Sequence, residues 1–156
     1  MIRKAESRDI DRLVALRCEM LESISGNRTT RDGQEIIKRF FTEKWDFKNP
    51  LYFVYEDGAG IRGMAAVSFF PGLPSTQNPT GKCALIFDVS VTADARSHGI
   101  GRRLLRVVIK HCAEKGIGFI HLNASEMGKE IYRSLGFEEY KACPEMRMFY
   151  HKISEF

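Results

Sequence analysis

The sequence predicts one α/β domain, a sheet of seven strands flanked by four helices, on three observations. Its length of 156 residues suits a single domain whose core needs no covalent staples. Segments rich in β-branched and aromatic residues alternate with segments whose apolar residues recur every three to four positions, the respective signatures of strand and helix. Glycine and proline breaks fall between these segments, and no repeat, low-complexity stretch or interdomain linker interrupts them, so residues 1–156 read as one unit.

Ile2 to Ala5 reads as a short edge strand. Ser7 or Asp9 then offers a cap for a helix bearing Ile10, Leu13, Val14, Met20, Leu21 and Ile24 at helical spacing. Ser25-Gly26-Asn27 ends that pattern, and Asp32 followed by Glu35 forms a capping arrangement for a second helix carrying Ile36, Ile37, Phe40 and Phe41. Leu51 to Glu56 and Ile61 to Phe70 flank the turn Asp57-Gly58-Ala59-Gly60, which predicts an antiparallel hairpin. Pro71 to Gly81 is rich in turn formers and is the longest loop. Ala84 to Val91 is the fourth strand. Gly99 to Lys115 places Ile100, Leu104, Leu105, Val108 and Cys112 at helical spacing, with Gly116 where a left-handed cap belongs. Ile117 to Asn123 is a fifth strand, Ser125 caps a fourth helix running to Leu135, and Gly136 stops it. Phe137 to Ala142 and Met146 to Lys152 complete the seven strands.

Composition excludes several function classes. No apolar run approaches the roughly 20 residues that span a bilayer, and Met1-Ile2-Arg3-Lys4-Ala5-Glu6 lacks the apolar core of a secretory signal, so the expectation is a cytoplasmic protein without membrane partners. The net charge of +4 is spread along the chain instead of clustered, which argues against nucleic acid and suits a polyanionic ligand. Cys18, Cys83, Cys112 and Cys143 show no paired spacing, and His98, His111, His121 and His151 show no ligand spacing with them; reduced thiols and no metal are expected.

The chemistry concentrates at Arg96-Ser97-His98-Gly99-Ile100-Gly101, where an apolar strand hands over to a helix. Unpaired backbone N–H groups and the positive end of the helix dipole converge there, and this is a phosphate-binding arrangement. Glycines 99 and 101 remove side chains that hold an anion off the backbone, and Arg102 and Arg103 add charge. A dinucleotide fingerprint requires a third glycine where Leu104 stands, and a P-loop requires an absent Gly-Lys-Ser/Thr.

What remains, R-x-x-G-x-G after a strand ending Val89-Ser90-Val91, resembles motif A of the GNAT superfamily of N-acetyltransferases. Tyr132-Arg133-Ser134-Leu135-Gly136-Phe137 resembles that family's Y-x-x-x-G-F segment, and the order of strands and helices agrees over nearly the whole chain. The resemblance implies a GNAT fold with a mixed, mostly antiparallel sheet, acetyl-CoA as cosubstrate, and direct transfer of acetyl to a primary amine in a ternary complex. It implies that Val89 and Val91 pair with pantetheine, that Ser97, His98, Gly99, Ile100 and Gly101 receive the pyrophosphate, and that Arg96 orders the loop. Arg102 alone of the stripe Arg102, Arg106, Lys110 is near enough to the helix start to reach phosphate. Asn123 or Ser125 would replace the asparagine the family often carries before the tyrosine.

Tyr132 matches the position where many members carry a phenol that protonates the departing thiolate, although a helical tyrosine is also a common packing residue. Asp88 is the only charge within Ala84–Val91. A buried carboxylate there either acts on the acceptor amine or pairs structurally with a cation. The long loop is expected to border the acceptor side. The acceptor itself stays open between an amine-bearing small molecule and a peptide, and a homodimer is the family-level expectation. A non-catalytic acyl-CoA-binding module is the alternative class, against which the retained Tyr132 argues.

Overall fold

A computed structural model of the chain describes residues 1–141. Strand β1 (Ile2–Lys4) leads through a single turn into helix α1 (Ile10–Ser25), and helix α2 (Arg31–Arg39) runs on into a π-helical turn, Phe40–Lys44. Strands β2 (Leu51–Asp57), β3 (Gly60–Pro71) and β4 (Lys82–Val91) follow, then helix α3 (Ile100–Glu114), strand β5 (Phe119–Leu122) and the short helix α4 (Lys129–Arg133). The sheet order is β1-β2-β3-β4-β5, antiparallel except for the parallel pair β4 and β5.

Both faces of the sheet are covered, which explains why Met64, Ala65, Ala66 and Val67 of β3 are all buried where a half-exposed strand would alternate. One face meets α3, whose Leu104, Leu105, Val108 and Cys112 pack on Phe53, Ala65, Val67 and Ile86. The other meets Leu13 and Leu16 of α1 and the aromatic cluster of Phe41, Trp45 and Tyr52, whose rings sit edge to face at 5.2–5.4 Å. Three layers result, with the sheet in the middle.

Several expectations change at element ends. Asp9 does not cap α1 with its side chain; its carboxylate accepts from the Glu6 N–H at 2.8 Å and from Arg3 at 2.6 and 3.0 Å, tying the end of β1 to the start of α1. Thr30, two residues before Asp32, caps α2 by accepting from the Gly33 N–H at 3.1 Å. Phe41 is buried and Ile37 packs with it, while Ile36 and Phe40 on the neighbouring face stay exposed. The fourth helix covers only Lys129–Arg133, and Ser125 meets it through its backbone carbonyl, not its hydroxyl. Phe137–Tyr140, the start of the expected sixth strand, carries no strand pairing among the described residues. The sheet described therefore has five strands where seven were expected. Its seventh, Met146 to Lys152, lies outside the described residues, as does Cys143.

The Arg3–Asp9 contact gives a pH-dependent prediction. The Arg3 hydrogen bond holds the Asp9 carboxyl below the usual carboxylate range. A depressed folded-state pKa adds stability above the unfolded value near 4, and that stability is lost as pH falls through the folded value. Asp9→Asn is expected to lower the melting temperature at pH 7, and the gap to the unchanged protein should shrink as the pH is taken below about 4. A gap that stays constant down to that pH would show that the charge is not what Asp9 contributes.

Candidate active site

Pairing between β4 and β5 ends at Ile86 and Leu122, while β4 continues to Val91. Phe87–Val91 therefore have no strand neighbour on that side among the described residues, and their backbone edge faces a cavity of about 700 Å³. The loop before α3 closes one end of this cavity, Asn123, Ser125 and α4 form one wall, and Met20, Ser23 and Ile24 of α1 form another.

A β-bulge shapes its floor. Ala66 pairs with Phe87 and Met64 with Ser90, so Asp88 and Val89 together oppose Ala65. Asp88 takes up the extra residue at φ 50°, a conformation that aspartate tolerates better than most side chains. Asp88 is 6% exposed as a residue, and both of its carboxylate oxygens are engaged. Arg17 of α1 donates to Oδ1, and the Tyr52 hydroxyl of β2 donates to Oδ2 at 2.8 Å. Burial, with the adjacent negative charge of Asp88, pushes the Tyr52 phenol far up, so it remains a donor. The charge expected to conflict with its apolar strand is thus satisfied from two other elements.

The glycine loop turns through left-handed residues, Ser97 at φ 66° and Gly99 at φ 71°, before α3 begins. The first intrahelical bond after the turn runs from the Arg103 N–H to the Gly99 carbonyl at 3.0 Å, which leaves the amides just before it without acceptors in the helix. Arg96 folds back, its Nε donating to the Val91 carbonyl at 3.1 Å, and so joins the loop to the end of β4. Gly101 has no positive φ, and a Cβ there would meet only Ile131 and Val91 at 3.7 and 3.8 Å, ordinary contact distances. The protein itself does not require glycine at 101; the space its missing side chain leaves is cavity space, and this fits a ligand that approaches the backbone closely.

Tyr132 enters from α4. Its ring packs edge-on against Phe137 and lies over Gly128, where a Cβ would come within 2.8 Å of Cε2. Burial raises the phenol above its ordinary value, so it is protonated throughout the neutral range, and its hydroxyl donates to no other described residue.

The structure places Asp88, Val89, Val91, Arg96, Ser97, Gly99, Ile100, Gly101, Arg102, Asn123, Ser125 and Tyr132 around this one cavity. His98 is the exception: its side chain is outside the lining, and its Nδ1 lies 2.7 Å from the Arg96 carbonyl. The long loop also falls elsewhere, since residues 72–81 do not line the cavity. Asn78 packs against Gly118 and donates to the Lys82 carbonyl at 3.3 Å, which holds the loop at the starts of β4 and β5, the end of β4 away from the glycine loop. Sequence reasoning missed Arg17 and Tyr52, whose partner is distant in the chain, and missed Gly128 and Met127. Met20 and Ile24, apolar positions of the first helix in the sequence, line this cavity, and Ile24 is 66% exposed there. Among the described residues no group of three or more acidic, histidine or cysteine side chains is placed to hold a metal, and no helix is long and apolar enough to cross a membrane.

The family model described as the Acetyltransferase (GNAT) family matches residues 10–137. Among solved structures, a predicted acetyltransferase from Clostridium acetobutylicum with acetyl-CoA is similar at 26% identity and TM-score 0.81, over 94% of this chain and 95% of that one. A transcriptional regulator from Bacillus halodurans is similar at 26% identity and TM-score 0.77, over 96% and 99% of the two chains. A GCN5-related N-acetyltransferase from Ralstonia eutropha shares the fold at 21% identity and TM-score 0.81, over 94% and 97%. A comparison with curated protein sequences found no match.

Proposed function

Because the chain belongs to the Acetyltransferase (GNAT) family, we propose that it transfers acetyl from acetyl-CoA to a primary amine by direct attack within a ternary complex. The observation that supports this most is the free edge of β4, Phe87–Val91, which opens onto the glycine loop at one end and onto Tyr132 across the same cavity.

Each residue then has a physical task. Val89 and Val91 offer backbone groups to the amides of pantetheine, as an added strand does at a sheet edge. The amides around Gly99, Ile100 and Gly101 hold the pyrophosphate, with Arg102 adding charge. Asn123 and Ser125 supply neutral polar contacts at the opposite wall. Asp88 keeps lone pairs free beyond those used by Arg17 and Tyr52, and the acceptor's ammonium is the donor it meets; it takes up the proton that must leave before the amine can attack. As the carbon–sulfur bond breaks, Tyr132 gives its phenolic proton to the thiolate, and the proton that the attacking nitrogen sheds on becoming an amide restores the phenol through solvent. No cysteine is needed as a nucleophile, and Cys18, Cys83 and Cys112 are buried.

Incubation with acetyl-CoA and primary amines should release free thiol together with an acetylated amine detected by mass. Gly101→Val is expected to remove most of the thermal stabilisation by acetyl-CoA, because a branched side chain on a Cβ that meets only Ile131 and Val91 at ordinary distances fills the space beside the loop amides. An undiminished shift in the folded variant would move the cofactor away from this loop. Stabilisation by acetyl-CoA without acetylation of any amine would reduce the chain to a binding module.

A further inference from the structure

Charge is divided unevenly along the cavity. Among the described residues its lining contains two cations, Arg96 and Arg102, both at the glycine loop, and a single acid, Asp88, already paired with Arg17 and Tyr52. The wall beyond Asp88 is different in kind. Met20 and Ile24 lie one turn apart on α1 and so share a face, and Phe87 and Met127 also line this cavity. Ile24 is 66% and Met127 71% exposed, so large apolar side chains from two separate elements meet solvent at one cavity. Such a concentration of exposed apolar surface beside a few polar groups marks a place where an apolar ligand is covered.

We propose that the acceptor is a monoamine carried on an apolar aliphatic or aromatic body, its ammonium at Asp88 and its body between the α1 wall and Phe87 with Met127. This rests on the acetyltransferase reading above. A polyamine would bring a second ammonium into a lining with no second acid, and an aminosugar phosphate would bring an anion to an end far from Arg96 and Arg102, where Arg17 is already committed to Asp88. Ser23, Asn123 and Ser125 can satisfy a neutral polar substituent but cannot neutralise either charge.

The test is a rate comparison of phenethylamine, hexylamine, spermidine, glucosamine 6-phosphate and a lysine-containing peptide, following thiol release and product mass. Phenethylamine or hexylamine is expected to show a kcat/KM at least about tenfold above the other three, since one or two apolar contacts are worth that factor. Ile24→Glu should lower that value about tenfold and raise that for spermidine, while acetyl-CoA still shifts the melting temperature as before. Preference for spermidine, the sugar phosphate or the peptide, or an Ile24→Glu variant with unchanged preferences, overturns the apolar acceptor and leaves the acetyltransferase standing. Calorimetric binding of phenethylamine to the CoA-loaded protein, without acetylation of any amine, would support the pocket assignment and overturn the transferase.

Discussion

Tyr132→Phe is expected to lower kcat by roughly 10 to 1,000-fold while acetyl-CoA still stabilises the fold. The substitution removes the hydroxyl alone. The ring keeps its edge-on contact with Phe137 and its seat over Gly128, so packing changes little. In the proposed reaction a thiolate leaving into a partly dry cavity then has no phenolic donor, and this cost falls on the transition state, not on binding. Because burial raises the Tyr132 phenol above its ordinary value, the donor stays protonated through the neutral and mildly alkaline range, and activity should not fall with pH there through loss of this proton. Equal kcat for the two proteins, with chemistry shown to be rate-limiting, would return Tyr132 to packing alone. Gly128→Ala gives an independent check, since the added methyl displaces the same ring without touching the hydroxyl.

What was legible in the sequence is what is local in the chain. α3 writes its buried face in Ile100, Leu104, Leu105, Val108 and Cys112, and all five are buried as the spacing predicts. The glycine loop was readable for the same reason, because the strand end, the turn and the helix start are contiguous. The readings that changed depend on contacts between distant residues. Asp88 meets Arg17 and Tyr52, 71 and 36 positions away, and no periodicity in β4 indicates which element will supply its partners. The bulge that turns Asp88 to positive φ is a relation between β3 and β4, invisible in either strand alone. Met20 and Ile24 fit the apolar pattern of α1, yet periodicity reports which face is apolar and not whether protein or ligand covers it. The expectation that the loop from Pro71 to Gly81 borders the acceptor side rests on the strands it joins, and its actual seat is set by Asn78 fitting against Gly118, a residue distant in the chain.

Asp88 separates stability from catalysis when two variants are compared. Asp88→Ala leaves the buried Tyr52 hydroxyl without an acceptor and Arg17 without a partner, and it places alanine at positive φ. The expected loss is about 2–4 kcal/mol, moderated because Arg17 is partly exposed and can turn to water. Asp88→Asn keeps one acceptor oxygen for Arg17, can donate its amide to the Tyr52 hydroxyl oxygen and tolerates the left-handed conformation, so its loss should be clearly smaller than that of Asp88→Ala. An amide cannot take a proton at neutral pH, and it offers no charge to an ammonium. If Asp88 serves the acceptor as proposed, Asp88→Asn raises the acceptor KM or lowers kcat/KM while the thermal shift with acetyl-CoA stays the same. A stable Asp88→Asn protein with unchanged acceptor kinetics would instead assign the carboxylate to holding the bulge, with Arg17 and Tyr52 as its anchors, and would leave water to carry the amine's proton away.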